Sequence, residues 1–554
     1  MSKTYKSKTI FILILLSACL YGGFYVFSAL AMGIICIIFL GIALTKKRQL
    51  LIRTSLENIG IYMIAGMYMM SVLWALDPGV AAAGALKISV PCVFALLWEN
   101  IEDSSRDAIW KVLPDVASVT ALLSFVLYPF SELRKLCYSA GRLGGTFQYS
   151  NTYALFLVVG LMILLYEDDW KRKEIAETII LTVGIIWTGS RSVMVIAVLF
   201  VAIHFLRKRG DRRRLWIMFG TAVAAAIVGI LLLKLDIGRL IKLTVNSSTL
   251  NGRLLYWYDV IPVMLKHPFG LGYMGYFFLQ PRFQTGNYVT KFVHNDILQL
   301  GIDAGMIPMF ILVGIVIKTL LSKKTEKKKK VILLILFLHS LFDFDLQFTI
   351  MSCIGIMCID NNLEHVKKVQ LQNKNIAVTL LVITGAVYTY FMIAFGAGYA
   401  GNYDLSVKLY PFHTIIREER MNEDGTANDA EWIIKKNGLF ADAYEERICR
   451  KCEEGDIEGI TEDVDKMLEN AGYQSIYYNQ AVYYLSKALD TAVRNDNTAD
   501  TKIILNKIQD IPEKIQKREQ NSSALAYRIN DKPSIELESS VEEYLEKLSD
   551  VTIE

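Results

Sequence analysis

The chain has 554 residues, of which 53% are hydrophobic, and its mean hydropathy is positive. These values exclude an ordinary water-soluble globular protein and indicate a membrane protein. The formal net charge is only +4, so the placement of the basic residues carries more information than their number. The eight cysteines mostly stand singly in apolar runs, where cysteine behaves as a small hydrophobic residue, and we assign them no redox chemistry.

The first apolar region, residues 8–46, predicts a helical hairpin that crosses the membrane twice. It is almost free of charge and is too long for one crossing, which needs about 20 apolar residues. Gly22 and Gly23 supply the turn. Lysine and arginine residues stand on both sides of the region, so the positive-inside rule places both of its ends in the cytoplasm. The alternative is a lipoprotein signal peptide with Cys19 as the lipidated residue, which leaves the orientation of the later segments unchanged.

Eleven further apolar stretches bring the predicted number of crossings to about thirteen. They are residues 57–75, 80–98, 110–130, 150–166, 175–188, 192–206, 215–234, 296–317, 331–344, 347–361 and 376–396. Counting from a cytoplasmic N-terminus places three basic segments inside the cell, as the positive-inside rule requires: 207–214, 323–330 and 365–374. The weakest crossing is the second stretch, which contains Lys87 and Pro91. We retain it because its removal would place the two strongest basic clusters outside.

The same count places five segments outside the cell. They are residues 131–149, the turn 188–191, the long stretch 235–295, the turn 343–347 and the C-terminal region 401–554. The long stretch exceeds the usual length of a connection, and such loops are commonly functional. Its aromatic and apolar residues between Tyr256 and Phe278 predict an amphipathic segment on the bilayer surface, followed by a glycine-rich turn.

Polar residues stand at the outward ends of several predicted helices. They are Arg142, Arg191, Arg253, His294, Asn295 and Asp343. Outward arginines are exceptions in a protein that keeps its basic clusters inside. Guanidinium groups bind phosphate oxygens through paired hydrogen bonds and stay charged when partly desolvated. A neighbouring histidine can accept a proton from an attacking hydroxyl. Together these residue types predict a site at which a group is transferred from a phosphate-bearing lipid.

Each of these residues also has a simpler interpretation. A single arginine at a helix end commonly contacts lipid headgroups. His294, Asp343 and Asp345 can cap helices, and the aromatic residues of 269–278 can anchor the chain at the bilayer interface. Lys87 can be a structural partner within the membrane, although ionisable groups in the bilayer are commonly functional.

Five motifs, in order, resemble the O-antigen ligase and polymerase family of membrane glycosyltransferases, which use polyprenol-linked glycans. They are GRLGGTFQYSNTYA, TGSRS, the GR-x-x-x-W run at 252–257 with HPFGLGYMGYF after it, FVHNDILQLGIDAGMIP, and HSLFDFDL. The resemblance covers residues 55–360. It implies a metal-independent enzyme without cofactors that transfers a glycan, with inversion, from an undecaprenyl (di)phosphate donor onto an acceptor hydroxyl.

The resemblance also implies roles for individual residues. Arg142, Arg191 and Arg253 are similar to diphosphate-binding positions, and His294 is similar to the histidine that activates or positions the acceptor. Arg191, Arg253 and His294 are then the catalytic candidates. The other substrate-binding candidates are Arg142, Asn295, Asp343 and Lys87, and no metal ligand is expected.

We therefore expect an all-α polytopic membrane helix bundle over residues 1–400, with the large external loop 235–295, in a bacterial cell membrane. Residues 401–554 are expected to form an extracytoplasmic helical domain. Its helical periodicity favours tetratricopeptide-like hairpins, and an irregular helical domain is the alternative. Cys449 and Cys452 within it indicate free thiols or a local disulfide rather than a metal site.

The expected partners are the undecaprenyl-linked oligosaccharide donor, a glycan, lipid or protein acceptor, membrane lipids and other polysaccharide-assembly proteins, but no nucleic acid. The main alternative function is a transporter or flippase of the same lipid-linked oligosaccharide. Transporters commonly have inverted repeats and ionisable residues near the membrane midplane. The predicted charged residues instead lie at one face, which favours an enzyme. A third alternative is a membrane-anchored scaffold whose working part is the external helical domain.

Overall fold

A computed structural model describes residues 12–47, 49–207, 212–233, 248–359, 368–371, 373–424, 427–549 and 551. The N-terminal lysines, parts of the basic segments 207–214 and 365–374, and residues 234–247 of the predicted external stretch lie outside the described residues. The described part is predominantly helical, which confirms the predicted all-α membrane helix bundle.

The opening hairpin has the predicted turn. Residues 12–19 are helical, the 3-10 helix Tyr21–Gly23 follows, and the second arm is helix α1, Val26–Lys47. Gly22 and Gly23 have φ values of +59° and +76°, in the left-handed region that favours glycine. A Cβ atom at Gly23 would lie 2.6 Å from the Cβ atom of Thr349, so the turn also needs glycine for its close packing.

The remaining helices of the first 400 residues are numbered in chain order. They are α2 Leu56–Ser71, α3 Pro78–Asn100, α4 Asp103–Leu127, α5 Ser131–Arg134, α6 Ser150–Leu165, α7 Arg172–Thr188, α8 Arg191–Arg207, α9 Arg212–Leu233, α10 Ser248–Lys266, α11 Gly275–Phe283, α12 Asp296–Ala304, α13 Met306–Leu321, α14 Lys327–Ser340, α15 Thr349–Cys358 and α16 Lys374–Tyr399, with 3-10 helices at Gly145–Phe147 and Asp345–Gln347. Among the described residues, α1, α3, α4, α9 and α16 are long and apolar enough to cross a membrane, and α6, α13 and α15 are shorter apolar helices. This is a multi-pass membrane protein, and the number of thirteen crossings stays a prediction.

The described residues also form two short antiparallel strand pairs, of which only the first joins distant parts of the chain. Strand β1, Leu50–Arg53, pairs with β4, Lys368–Leu371, and β2, Tyr138–Ser139, pairs with β3, Arg142–Leu143. The first pairing places the segment after α1 and the segment before α16 at the same end of the bundle. Both segments are predicted to be cytoplasmic.

The predicted crossing 296–317 is wrong as a continuous helix, because it is divided between α12 and α13. The dividing residue, Gly305, has a φ of +102°. The backbone N–H groups of Leu271 and Gly272 donate to the carbonyls of Ile302 and Asp303, at 2.7 and 3.0 Å. These bonds satisfy carbonyls at the end of α12 that a continuing helix would have used. The glycine-rich turn of the external stretch therefore stabilises the break.

The C-terminal region contains nine helices and one 3-10 helix among the described residues. They are α17 Tyr403–Leu409, α18 Thr414–Asp424, α19 Ala427–Lys436, α20 Ala441–Glu454, α21 Ile457–Ala471, α22 Ser475–Arg494, α23 Thr498–Gln509, α24 Ile511–Gln520 and α25 Ser539–Leu548, with the 3-10 helix Ala526–Arg528 before α25. Helices α20 to α23 each pack against the next. Cys449 and Cys452 are free thiols. The tetratricopeptide-like interpretation and the boundary near residue 400 stay predictions.

The C-terminal helices contact the membrane helix bundle. Asp77, at the start of α3, accepts hydrogen bonds from the hydroxyl of Thr414 and from Nδ2 of Asn437, the latter at 3.0 Å. The same carboxylate caps α3 by accepting from the N–H of Val80 at 3.0 Å. One buried side chain thus joins the two regions at the end of the bundle that is predicted to face outward.

Candidate active site

The carboxylate of Asp343 lies at the centre of the outward polar residues and is fully buried. Its Oδ2 atom accepts hydrogen bonds from Nη2 of Arg253 at 3.1 Å and from Nδ2 of Asn151 at 2.7 Å. Its Oδ1 atom accepts from the hydroxyl of Tyr149 at 2.8 Å. Nδ1 of His294 lies 3.3 Å from the same oxygen. Asp343 is therefore the residue on which three separate segments of the chain converge.

The surroundings of Asp343 keep its side chain ionised. Burial alone would raise the pKa of this carboxyl group, but the neighbouring His294 and Arg253 hold it well below its ordinary value. A buried charge is tolerated only when it is paired and hydrogen-bonded, and both conditions are met here. The carboxylate consequently fixes the positions of the cationic groups around it.

Arg142 joins this cluster through one intervening side chain. Its Nη2 atom donates to Oδ1 of Asn151 at 2.8 Å, and the amide group of Asn151 bonds in turn to Asp343. Its Nε atom donates to the carbonyl of Thr188, the last residue of α7, also at 2.8 Å. Arg142 thereby ties strand β3 to the tight turn between α7 and α8.

Arg191 follows the same turn and is the first residue of α8. Gly189 ends α7 with a φ of +60°, and a Cβ atom there would lie 3.5 Å from Nε of Arg142. Nη2 of Arg191 contacts Oγ1 of Thr249 at 3.4 Å, in the first turn of α10. Arg253 follows one helical turn later. The structure thus brings the three predicted arginines to one end of the bundle.

His294 and Asn295 are adjacent in the chain, but their side chains have different surroundings. His294 has a φ of +54°, unusual for a residue other than glycine, and its ring lies between Phe344 and Tyr256, with centroid distances of 4.9 and 5.9 Å. Asn295 caps α12, and its Oδ1 atom accepts from the N–H groups of the second and third residues of that helix, at 3.0 Å each. Asn295 therefore has a structural role, and its predicted contact with substrate stays a prediction.

Part of the chain resembles a known protein family. The family model described as O-antigen ligase matches residues 177–342. Over these residues the chain is similar to the O-antigen ligase family. The match confirms the family resemblance over the segment that contains Arg191, Arg253 and His294, and it ends one residue before Asp343. It indicates a membrane enzyme that ligates or polymerises glycans in surface polysaccharide assembly. No curated protein matches the chain.

A second buried network, which the sequence did not reveal, lies beside the candidate site. Nδ1 of His339 is 2.6 Å from Oδ2 of Asp345, and Nε2 of His339 is 3.0 Å from Oγ of Ser192. The hydroxyl of Thr152 donates to Oδ1 of Asp345 at 2.7 Å. Ser192 and Thr152 directly follow Arg191 and Asn151 in the chain. The network therefore supports the helix starts that carry two residues of the site.

Lys87 is buried next to the 3-10 helix Asp345–Gln347. Its ammonium group donates to Oε1 of Gln347 at 3.3 Å and to the hydroxyl of Tyr273 at 3.4 Å, and lies 5.0 Å from the ring centroid of Phe24. These contacts fit the structural alternative, in which Lys87 joins α3 to the glycine-rich turn. Its role as a substrate-binding residue stays a prediction.

Helix α10 has two apolar faces. Leu255 and Val260 are fully buried against the protein, whereas Tyr258, Ile261 and Leu265 are exposed to 57%, 41% and 60%. The exposed residues recur at helical spacing and form a stripe like that of helices in a membrane interface. This arrangement fits the predicted amphipathic segment.

Tyr149 and Asn151 are two further residues of the site that the sequence did not reveal. The motif QYSN at the start of α6 was the available signal, and the resemblance already included its asparagine. Their importance comes from their bonds to Asp343, about 190 residues away in the chain. A separation of that size is not visible in local sequence patterns.

Proposed function

We propose that this protein transfers glycan from an undecaprenyl-(di)phosphate-linked donor onto an acceptor hydroxyl at the outer face of a bacterial cell membrane. The observation that carries this proposal is the convergence of Arg142, Arg191, Arg253 and His294 on the end of the bundle where Asp343 is buried. The acceptor is a glycan, a lipid or a protein, and the product enters a surface polysaccharide.

The arginines of the site suit a diphosphate. Arg142, Arg191 and Arg253 lie at the end of the bundle where Asp343 is buried, and Nη2 of Arg253 is 3.1 Å from that carboxylate. The adjacent His339 and Asp345 are paired with each other. Guanidinium groups can hold phosphate oxygens through two parallel hydrogen bonds, and the negative charge on the leaving diphosphate grows in the transition state. The arginines therefore supply the stabilisation that a metal ion gives in other transferases.

The position of His294 suits proton transfer. Asp343 faces the Nδ1 side of the imidazole, which leaves Nε2 to accept the proton of the acceptor hydroxyl. The hydroxyl oxygen then forms the new bond to the anomeric carbon. The bond between that carbon and the donor phosphate oxygen breaks, and its electron pair leaves with the (di)phosphate. Attack from the side opposite to the leaving group inverts the anomeric configuration.

The arginines can be tested by complementation of a deletion strain. Arg191→Ala and Arg253→Ala should each lower glycan transfer by about 10²-fold or more, because a donor at the developing charge is lost. The protein should still reach the membrane in normal amounts. The measurement is the length and amount of surface polysaccharide, together with the rate of donor consumption by purified protein.

Arg282→Ala is the matched control for these variants. Arg282 belongs to the same external stretch, but its guanidinium contacts Asn470 and Glu469 of the C-terminal region. It should therefore keep nearly full transfer activity. Wild-type polymer length in both site variants would contradict the proposal. Donor consumption in detergent also separates an enzyme from a transporter, because no compartments remain there.

The proposed orientation predicts which surface positions a membrane-impermeant thiol reagent can reach. In a protein with Cys19 and Cys449 replaced by serine, Val493→Cys in the C-terminal region should be labelled in intact cells. Lys324→Cys, between α13 and α14, should be labelled only after permeabilisation. Both positions are exposed. Labelling of the two positions in the reverse order would place the site on the cytoplasmic face and end the proposal.

A further inference from the structure

The C-terminal region returns to the helix that carries Arg253. After α24 the chain runs through residues 523–530, which we call the clasp. The backbone N–H of Asn530 donates to Oγ of Ser248 at 2.8 Å, and Nδ2 of Asn251 donates to the carbonyl of Arg528 at 3.3 Å. Both partners lie in the first turn of α10. The clasp therefore binds α10 through polar contacts to its start.

Apolar contacts extend this attachment. Ala526 and Ile529 of the clasp form a small buried cluster with Leu255 of α10 and with Tyr288 of the following loop. Ala526 and Leu255 are fully buried. A Cβ atom at Gly286 would lie 2.8 Å from the Cβ atom of Ala526, so the loop approaches the clasp very closely. The clasp, α10 and the loop thus pack as one unit.

The contact residues of α10 define one side of the helix, and Arg253 lies on the other. Ser248, Asn251 and Leu255 recur at intervals of three and four residues, which places them on one face. Arg253 is two residues from both Asn251 and Leu255, or roughly 200° around the helix at about 100° per residue. Its guanidinium reaches Asp343 on that opposite side. A rotation of α10 within the clasp would move Arg253 directly.

The clasp also contacts the loop that leads to His294. The N–H of Ser523 donates to the carbonyl of Thr285 at 3.0 Å. The ring of Tyr288 lies 4.6 Å from that of Tyr256, which in turn is 5.9 Å from the imidazole of His294. Both halves of the proposed site, the diphosphate side and the acceptor side, are therefore attached to the same segment of the C-terminal region.

We propose that the clasp contains positioning residues for glycan transfer, with Ile529 and Ala526 acting through α10 on Arg253. This inference rests on the proposed function of Arg253. The C-terminal region is then an integral part of the transfer unit, and the clasp sets the rotation and depth of α10. Loss of its packing should misplace the guanidinium, and a misplacement near 1 Å can cost on the order of 10²-fold in rate.

The test compares two isoleucine-to-alanine variants of the full-length protein. Ile529→Ala removes packing between the clasp and α10. Ile508→Ala removes packing of α23 in the separate apolar cluster of the C-terminal helices. Ile529→Val keeps most of the side chain. For each variant, kcat and the donor KM are measured in detergent, and hydrogen exchange is measured for the amides of α10.

Ile529→Ala should lower kcat by roughly tenfold or more and raise hydrogen exchange in the first turns of α10. Ile529→Val should return kcat to within about twofold of wild type, and Ile508→Ala should leave both quantities near their wild-type values. The inference is overturned if the two alanine variants behave alike, whether both are active or both are impaired. Failure of the proposed function would show instead as full activity of Arg253→Ala, a separate variant with a separate outcome.

Discussion

Replacing His294 by glutamine should lower the kcat of glycan transfer by about 10²- to 10⁴-fold, the usual contribution of a positioned general base. Glutamine keeps a polar side chain of similar length beside Asp343 but cannot accept a proton near neutral pH. The donor KM should change much less, because the three arginines remain in place. The measurement is steady-state transfer by purified protein with a lipid-linked oligosaccharide donor.

His267→Gln is the control for this substitution. His267 directly follows α10, in the same external stretch, and its side chain is exposed. Loss of a surface imidazole should leave kcat within about twofold of wild type, as for most surface substitutions. A His294→Gln enzyme with wild-type kcat would show that no proton passes through this residue. In that case a residue other than His294 would activate the acceptor hydroxyl. The role of the arginines would be tested separately, by the arginine variants.

Local patterns in the sequence were sufficient to predict the helical bundle. The nearly charge-free region with Gly22 and Gly23 in its middle favoured a hairpin, because it is too long for a single crossing. The placement of basic segments also indicated which helix ends share a side. That information brought Arg142, Arg191 and Arg253 to one end without knowledge of any contact between them. Each of these predictions depends on neighbouring residues or on a count along the chain.

Long-range contacts account for the features that could not be predicted. Gly305 divides a predicted crossing because backbone donors near Gly272 satisfy the end of α12, and no periodicity in residues 296–317 shows that partner. His339 and Asp345 pair across a helix end, and Asn251 binds a carbonyl in the clasp, about 280 residues away. For the same reason, the sequence identified Asp343 only as one of several substrate-binding candidates. Its role depends on donors from separate segments.

Asp343→Ala should be the most damaging substitution for stability in the site. It would leave Arg253, Asn151 and Tyr149 without their shared acceptor, and breaking a buried ion pair by removing one partner costs about 3–5 kcal/mol. Glycan transfer should be lost as well, since the arginines and His294 lose the residue that fixes them. The measurement is the free energy of unfolding or the thermal midpoint of the purified protein, alongside transfer activity.

Asp343→Asn should show how much of the protein's stability depends on the charge of this side chain rather than on its shape. The pKa of Asp343 is held below its ordinary value, so ionisation of this group stabilises the folded protein at every pH above about 4. This stabilisation is lost only as the pH falls below about 4. Asparagine should therefore destabilise the protein strongly at pH 7. As the pH falls below about 4 the difference from wild type should shrink, because the carboxyl group of the unfolded chain then becomes protonated while that of the folded protein stays ionised.

Asp259→Asn provides the contrast, because Asp259 is buried among neutral donors. It accepts from the hydroxyls of Thr285 and Tyr288, at 2.6 and 2.7 Å, and from the N–H of Thr285 at 2.9 Å, and burial raises the pKa of its carboxyl group. Burial thus disfavours its charged form, so an uncharged amide should cost far less stability at pH 7 than at Asp343. Equal losses at the two positions would mean that Asp343 serves only as a hydrogen-bond acceptor. A much larger loss at Asp343 would show that its negative charge holds the guanidinium and imidazole groups in the site.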